Sequence, residues 1–84
     1  MSVRVELTYE MSKALGRPVV EVEASTVGEA MEGARAGFDP ETWERLTART
    51  AIALNGVLVR YRDRLATRLD HGDVVSFVKA AAGG

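Results

Sequence analysis

Along residues 3 to 9, Val3, Val5, Leu7 and Tyr9 alternate with Arg4, Glu6 and Thr8, the period-two pattern of a strand with one buried face. Glu10 to Arg17 is polar with Gly16 near its end. Val20 and Val22 then alternate with Glu21 and Glu23, which predicts a second strand entered through Pro18. Two strands so close in sequence are expected to form a hairpin. The period then changes. Thr26-Val27-Gly28-Glu29 matches a capping box, in which a threonine hydroxyl and a glutamate carboxylate satisfy amides at a helix start. Val27, Ala30, Met31 and Ala34 follow at helical spacing, with Gly37 as the expected terminator. Gly28 and Gly33 each weaken this helix by up to about 1 kcal/mol, so packing has to hold it.

Asp39-Pro40-Glu41 is a second start signal, an acid at the cap followed by proline at the first helical position and an acid in the first turn. It predicts a short helix with Trp43, Leu46 and Thr47 on one face. Thr50 to Leu54 reads as a third strand, Asn55-Gly56 as a two-residue hairpin turn, and Val57 to Tyr61 as the returning strand. Arg62 to Leu69 has no clean period. Asp70-His71-Gly72-Asp73 is a turn, and Val74 to Val78 is a final strand that runs into Lys79, three alanines and Gly83-Gly84. The expected order is β-β-α-(short α)-β-β-β. It describes one α+β domain over residues 1–79 and a flexible tail over 80–84.

Composition narrows the classes of function. A chain of 84 residues with 46% hydrophobic and 27% charged residues suits one ordered domain, too small for a deep two-lobed cleft. Without cysteine there are no disulfides, zinc–thiolate sites or thiol nucleophiles. The first residues lack the apolar run of a signal peptide or membrane span, which predicts a cytoplasmic protein with no membrane partner. A net charge of −1 argues against a generic nucleic-acid binder. The charge is uneven: eight acids and four bases give −4 over residues 1–42, and four acids and seven bases give +3 over residues 43–84.

The order of elements and the glycine end carry a resemblance. Five short strands around one main helix plus a short second one is the β-grasp arrangement of ubiquitin-like proteins, with a five-stranded mixed sheet. More narrowly, three segments resemble the MoaD/ThiS family of sulfur carriers: Ala53-Leu54-Asn55-Gly56, Leu69 to Asp73 followed by Val74-Val75-Ser76-Phe77, and Ala82-Gly83-Gly84. The resemblance implies that a ubiquitin-activating-type enzyme uses ATP to adenylate the Gly84 carboxylate. A sulfurtransferase or other sulfur source then converts it to a thiocarboxylate, a 1-thioglycine, for a sulfur-accepting synthase. Ala82 and Gly83 would form the slim tail. From Lys79 to Gly84 the chain reaches about 20 Å at roughly 3.3–3.6 Å per residue. Three departures bear on the pathway. Lys79-Ala80-Ala81 replaces the prolines usual after the last strand of the molybdopterin-synthase small subunit. The tail is closer to that of thiamin-type carriers, whereas the Trp43-bearing insert is closer to the molybdopterin branch. The resemblance therefore leaves three roles open: a free sulfur carrier, the small subunit of molybdopterin synthase, and a ubiquitin-like modifier conjugated through Gly84. A β-grasp interaction module with an incidental glycine end is a fourth.

Partner-binding candidates lie near the tail. If Phe77 and Val75 face the core, Val74 and Val78 project from the other face with Ser76, either as ordinary surface or as the centre of a docking patch beside Lys79. Arg60, Arg62, Arg64 and Arg68 are either a charged, aggregation-resistant edge or a steering surface for an acidic groove. His71, Asp70 and Asp73 lack a fourth ligand and read as a solvated turn, so no metal is expected. No nucleophile, base and orienting group stand together. The chain is expected to be a substrate or subunit with no bound cofactor, not an enzyme. Trp43 reads as a lid on the core.

Overall fold

A computed structural model describes residues 1–59 and 64–79. Five strands form one mixed sheet: β1 (Ser2–Glu6), β2 (Val19–Glu23), β3 (Thr50–Leu54), β4 (Val57–Leu58) and β5 (Val74–Lys79), in the order β2-β1-β5-β3-β4. β1 and β5 run parallel and the other neighbours antiparallel. Three helices accompany them, α1 (Tyr9–Leu15), α2 (Val27–Arg35) and α3 (Pro40–Thr47), with a short 3-10 turn at Arg64–Ala66. The register sets Val5 beside Val75 and Ile52 beside Phe77, which aligns one apolar stripe across the sheet. α2 buries Val27, Ala30 and Ala34 toward this stripe. Trp43, carried by α3, stacks edge-on to Phe77 with ring centroids 5.5 Å apart and also contacts Phe38 at 5.5 Å. It is 7% exposed, the expected lid.

The sequence reading needs correction near the start of the chain. The strand expected to continue to Tyr9 ends at Glu6, and the polar segment inside the expected hairpin contains α1. Thr8 caps this helix by accepting a hydrogen bond from the Met11 amide at 3.2 Å, and Gly16, at φ +90°, closes it in the left-handed conformation. Only Met11 of the helix is buried, so the apolar stripe is too narrow to announce a helix by periodicity. β1 and β2 do pair, but through this helix instead of a tight hairpin.

Other details shift less. Gly37 is not the left-handed terminator of α2, whose C-cap is Ala36 in ordinary helical geometry. The capping box is displaced by one residue. Thr26 accepts from the Glu29 amide at 3.2 Å, while the Glu29 carboxylate takes the Ser25 amide at 2.8 Å and the Ser25 hydroxyl at 2.9 Å. The Ser25 amide, and then its hydroxyl, hold the Glu29 carboxyl below its ordinary pKa. The expected short helix starts as read, with Asp39 accepting from the Thr42 amide at 2.8 Å. Asn55 and Gly56 both have positive φ, 50° and 86°, as the hairpin turn requires. The return strand covers Val57–Leu58, and Tyr61, its expected end, lies outside the described residues.

Gly33 is where α2 meets the sheet most closely. A Cβ built there would lie 2.9 Å from Val22 Cγ1 and 3.0 Å from Val22 Cβ, too near for either atom to yield without moving β2. Alanine would favour the helix by about 1 kcal/mol, but overpacking of this kind typically costs about 1–3 kcal/mol. Gly33→Ala is therefore expected to lower stability in urea unfolding, and an unchanged or raised midpoint would show that the sheet gives way.

Candidate functional site at the end of the last strand

β5 occupies the centre of the sheet, held by β1 on one side and β3 on the other. Its pairing with β3 extends from Leu54–Val75 to Thr50–Lys79, so the strand is anchored up to the last described residue. Its alternation is as expected: Val75 and Phe77 are in the core, whereas Val74, Ser76 and Val78 face the opposite side of the sheet. Val74 and Val78 are half-buried there, less open than two projecting valines would be. The register places Ala51 beside Val78, Ala53 beside both Ser76 and Leu58. The outcome is a low apolar strip on the outer face, ending at the exposed Lys79. Toward β1 this strip gives way to charge, since Ser76 donates to the Glu6 carboxylate at 3.0 Å.

The start of β5 is locked separately. The Asp73 carboxylate accepts the Asp70 amide at 2.8 Å and the Asn55 side-chain amide at 3.1 Å, while Asn55 Oδ1 accepts the Val74 amide at 3.0 Å. One asparagine thus serves the β3–β4 turn and ties it to the turn before β5. His71 Nδ1 accepts the Ser2 amide at 3.3 Å, so the expected solvated turn is also stitched to β1. Among the described residues no cluster of histidines and carboxylates could hold a metal ion.

Of the arginine candidates, Arg68 forms an isolated bridge with Thr26, Arg64 opens the 3-10 turn by its backbone, and Arg60 and Arg62 lie outside the described residues. Ala82, Gly83 and Gly84 also lie outside them. Residues that the sequence did not flag stand near the site instead. Glu10 makes an ion pair with Lys79 at 3.7 Å, and Lys13 Nζ lies 5.6 Å from the centre of the Tyr9 ring. Their signal was hidden with α1: once Tyr9–Leu15 is helical, residues 9 and 13 share a face.

An outer apolar strip that leads to the end of a central strand, in a mixed sheet crossed by a helix, defines a ubiquitin-like β-grasp protein. The chain belongs to the ThiS family, whose sequence profile matches residues 6–84. No functionally curated protein matches it. Among solved structures it is similar to small archaeal modifier protein 1 from Methanosarcina acetivorans, with 20% identity over 99% of this chain and 96% of that one and a TM-score of 0.80. It is also similar to a chain of the Amycolatopsis orientalis BexX/CysO complex, with 23% identity, 98% and 99% coverage and a TM-score of 0.76. A third similar structure is a chain from the complex of subunits 1 and 2 of the Helicobacter pylori molybdopterin-converting factor, with 25% identity, full coverage of both chains and a TM-score of 0.68.

The lock at the start of β5 has a pH signature. The Asp70 amide, followed by the Asn55 side chain, holds the Asp73 carboxyl below its ordinary value of 3.8. A depressed pKa in the folded state adds stability above the unfolded value that is lost as pH falls through the folded one. Thermal midpoints are expected to drop as pH is lowered from about 5 toward about 2. Asp73→Asn should lower the midpoint at neutral pH and flatten that fall; an unchanged slope would remove the lock from the account.

Proposed function

We propose that the chain is a sulfur carrier whose working group is the carboxylate of Gly84. The observation that carries this reading is the placement of β5. The strand is paired with β3 up to Lys79 and with β1 as far as Ser76, ends at that exposed lysine, and stands five residues ahead of Gly84, in a chain whose family match runs to that residue. Glycine lacks a Cβ, so Gly83 and Gly84 can thread a channel that any other pair would clash with, while the domain docks outside.

The chemistry follows from the carboxylate. A carboxylate oxygen attacks the α-phosphorus of ATP and pyrophosphate leaves, which turns a poor electrophile into an acyl adenylate. A sulfide-level nucleophile then displaces AMP: the carbonyl C–S bond forms as the C–O bond to phosphate breaks, leaving a thiocarboxylate. The adenylate must be kept from water, and a domain of this size offers no enclosed site for it, so activation falls to a ubiquitin-activating-type partner. The chain is then a tethered substrate, with a sulfur source before it and a sulfur-accepting synthase after it. The outer strip of Val74, Val78, Ala51 and Leu58 is the docking surface of this reading. Among the described residues no helix is long and apolar enough to cross a membrane.

The resemblance to an archaeal modifier protein supports a second reading, conjugation of Gly84 to lysines of other proteins. The resemblance to a chain of the molybdopterin-converting factor supports residence in a two-subunit synthase. Modifier and carrier share the adenylation step and part only at the nucleophile, an amine or a sulfur.

Intact mass of the protein recovered from its native host separates these outcomes. A carrier is expected to gain the mass difference of one sulfur for one oxygen, and to lose that gain when Gly84 is deleted. Isopeptide-linked ladders without the mass change would favour the modifier. Neither species, in the wild type as in the deletion, would overturn both readings.

A further inference from the structure

β1 pairs with β5 only as far as Glu6–Ser76, and then the chain leaves the sheet to form α1. Phe77 to Lys79 therefore have β3 on one side and the start of α1 on the other. Between them lies an open groove of about 630 Å³, lined by Tyr9, Lys13, Val78 and Lys79 among others. Around the corner a second concavity of about 380 Å³ brings in Arg45 from α3 and Arg49 from just beyond its C-cap. Glu10 and Lys79 border both. Four cations thus gather around one carboxylate, on a chain whose overall charge is −1. Glu44, next to Arg45 in sequence, lines neither concavity. Tyr9 is 74% exposed, an unusual amount of open aromatic surface at the rim of a groove.

The geometry points to a docking face here for an acidic segment with apolar side chains, supplied by the protein that takes up the tail. This face adjoins the outer strip of the sheet at Val78 and adds the charged residues of α1 and α3 to it, and naming its partner rests on the sulfur-carrier reading. Reach argues for a protein segment and against a nucleotide. With Gly84 up to about 20 Å from Lys79, the cations stay at the mouth of any channel that holds the reacting carboxylate. Charge argues for local recognition: Lys13, Lys79, Arg45 and Arg49 outnumber Glu10, the one carboxylate that lines the same two concavities. A long polyanion or an anionic bilayer would cover more surface and meet Glu6, Glu21 and Glu23, with Arg4 the one base among them, on the outer face of β1 and β2. Tyrosine and arginine are also the residue types that contribute most at protein interfaces.

The test is a titration of the whole 15N-labelled protein with a short capped peptide of alternating glutamate and leucine, followed by NMR. Amide shifts are expected to cluster at Tyr9 to Lys13, Arg45 to Arg49, and Val78 and Lys79. Binding should weaken as salt rises from about 0.05 to about 0.5 M. In Lys13→Glu/Arg49→Glu, two exposed positions whose reversal leaves the core untouched, it should fall by about fivefold or more. Scattered shifts, no shifts at millimolar peptide, or equal binding by the double variant would overturn the proposal. Tighter binding of phosphatidylserine vesicles or single-stranded DNA through the same residues would replace it with a membrane or nucleic-acid face. None of these readouts uses Gly84, so a protein that never gains sulfur but shows the clustered shifts would sink the carrier reading and leave this face standing.

Discussion

Everything in this fold turns on the position of β5. The last strand does not close an edge; it fills the gap between β1 and β3 and supplies the parallel pairing that makes the sheet mixed. Val75 and Phe77 reach the core from this central place, and Phe77 is the surface on which Trp43 rests. α3 is held largely by that contact, since Trp43 is its one buried side chain. Without β5 there would be two separate strand pairs and no common core.

Sequence periodicity revealed most of this framework and missed one element, for reasons that can be stated residue by residue. Strands with one buried face announce themselves by alternation, as Val20 and Val22 do. Helices with a wide apolar stripe and a capping residue, such as Thr26 and Asp39, are equally visible. α1 has the cap, Thr8, but not the stripe: Met11 alone is buried, and Leu7 and Tyr9 extend the period of β1 past Glu6, where the strand ends. Tyr9 reads as the last inward residue of a strand, yet it stands in solvent. The strip beside the tail was legible from alternation alone, because it needs only the face opposite Phe77. The cluster around Glu10 was not, since it joins residues from α1, α3 and β5 that no local pattern connects.

The two surfaces that flank the end of β5 differ in kind. The outer strip is low, small-featured and apolar, with Ala51 and Ala53 allowing a flat approach, and it suits a partner that covers area. The groove at α1 is charged and carries a large open aromatic ring. In the proposed reading one surface would contribute contact and the other orientation.

Glu6 and Ser76, joined across the parallel pair, are 70 residues apart in the chain. Closing a loop of that length costs about 4 kcal/mol of chain entropy before any contact across it is gained, and such non-local topologies fold slowly. During synthesis every other strand and helix is complete before the one that unites them has been made. A ribosome-bound chain short of Val74 would hold its apolar stripes without the strand that joins them. The same late step that completes the core also sets in place the last strand, so the domain is assembled only when the strand that precedes the proposed working end has paired.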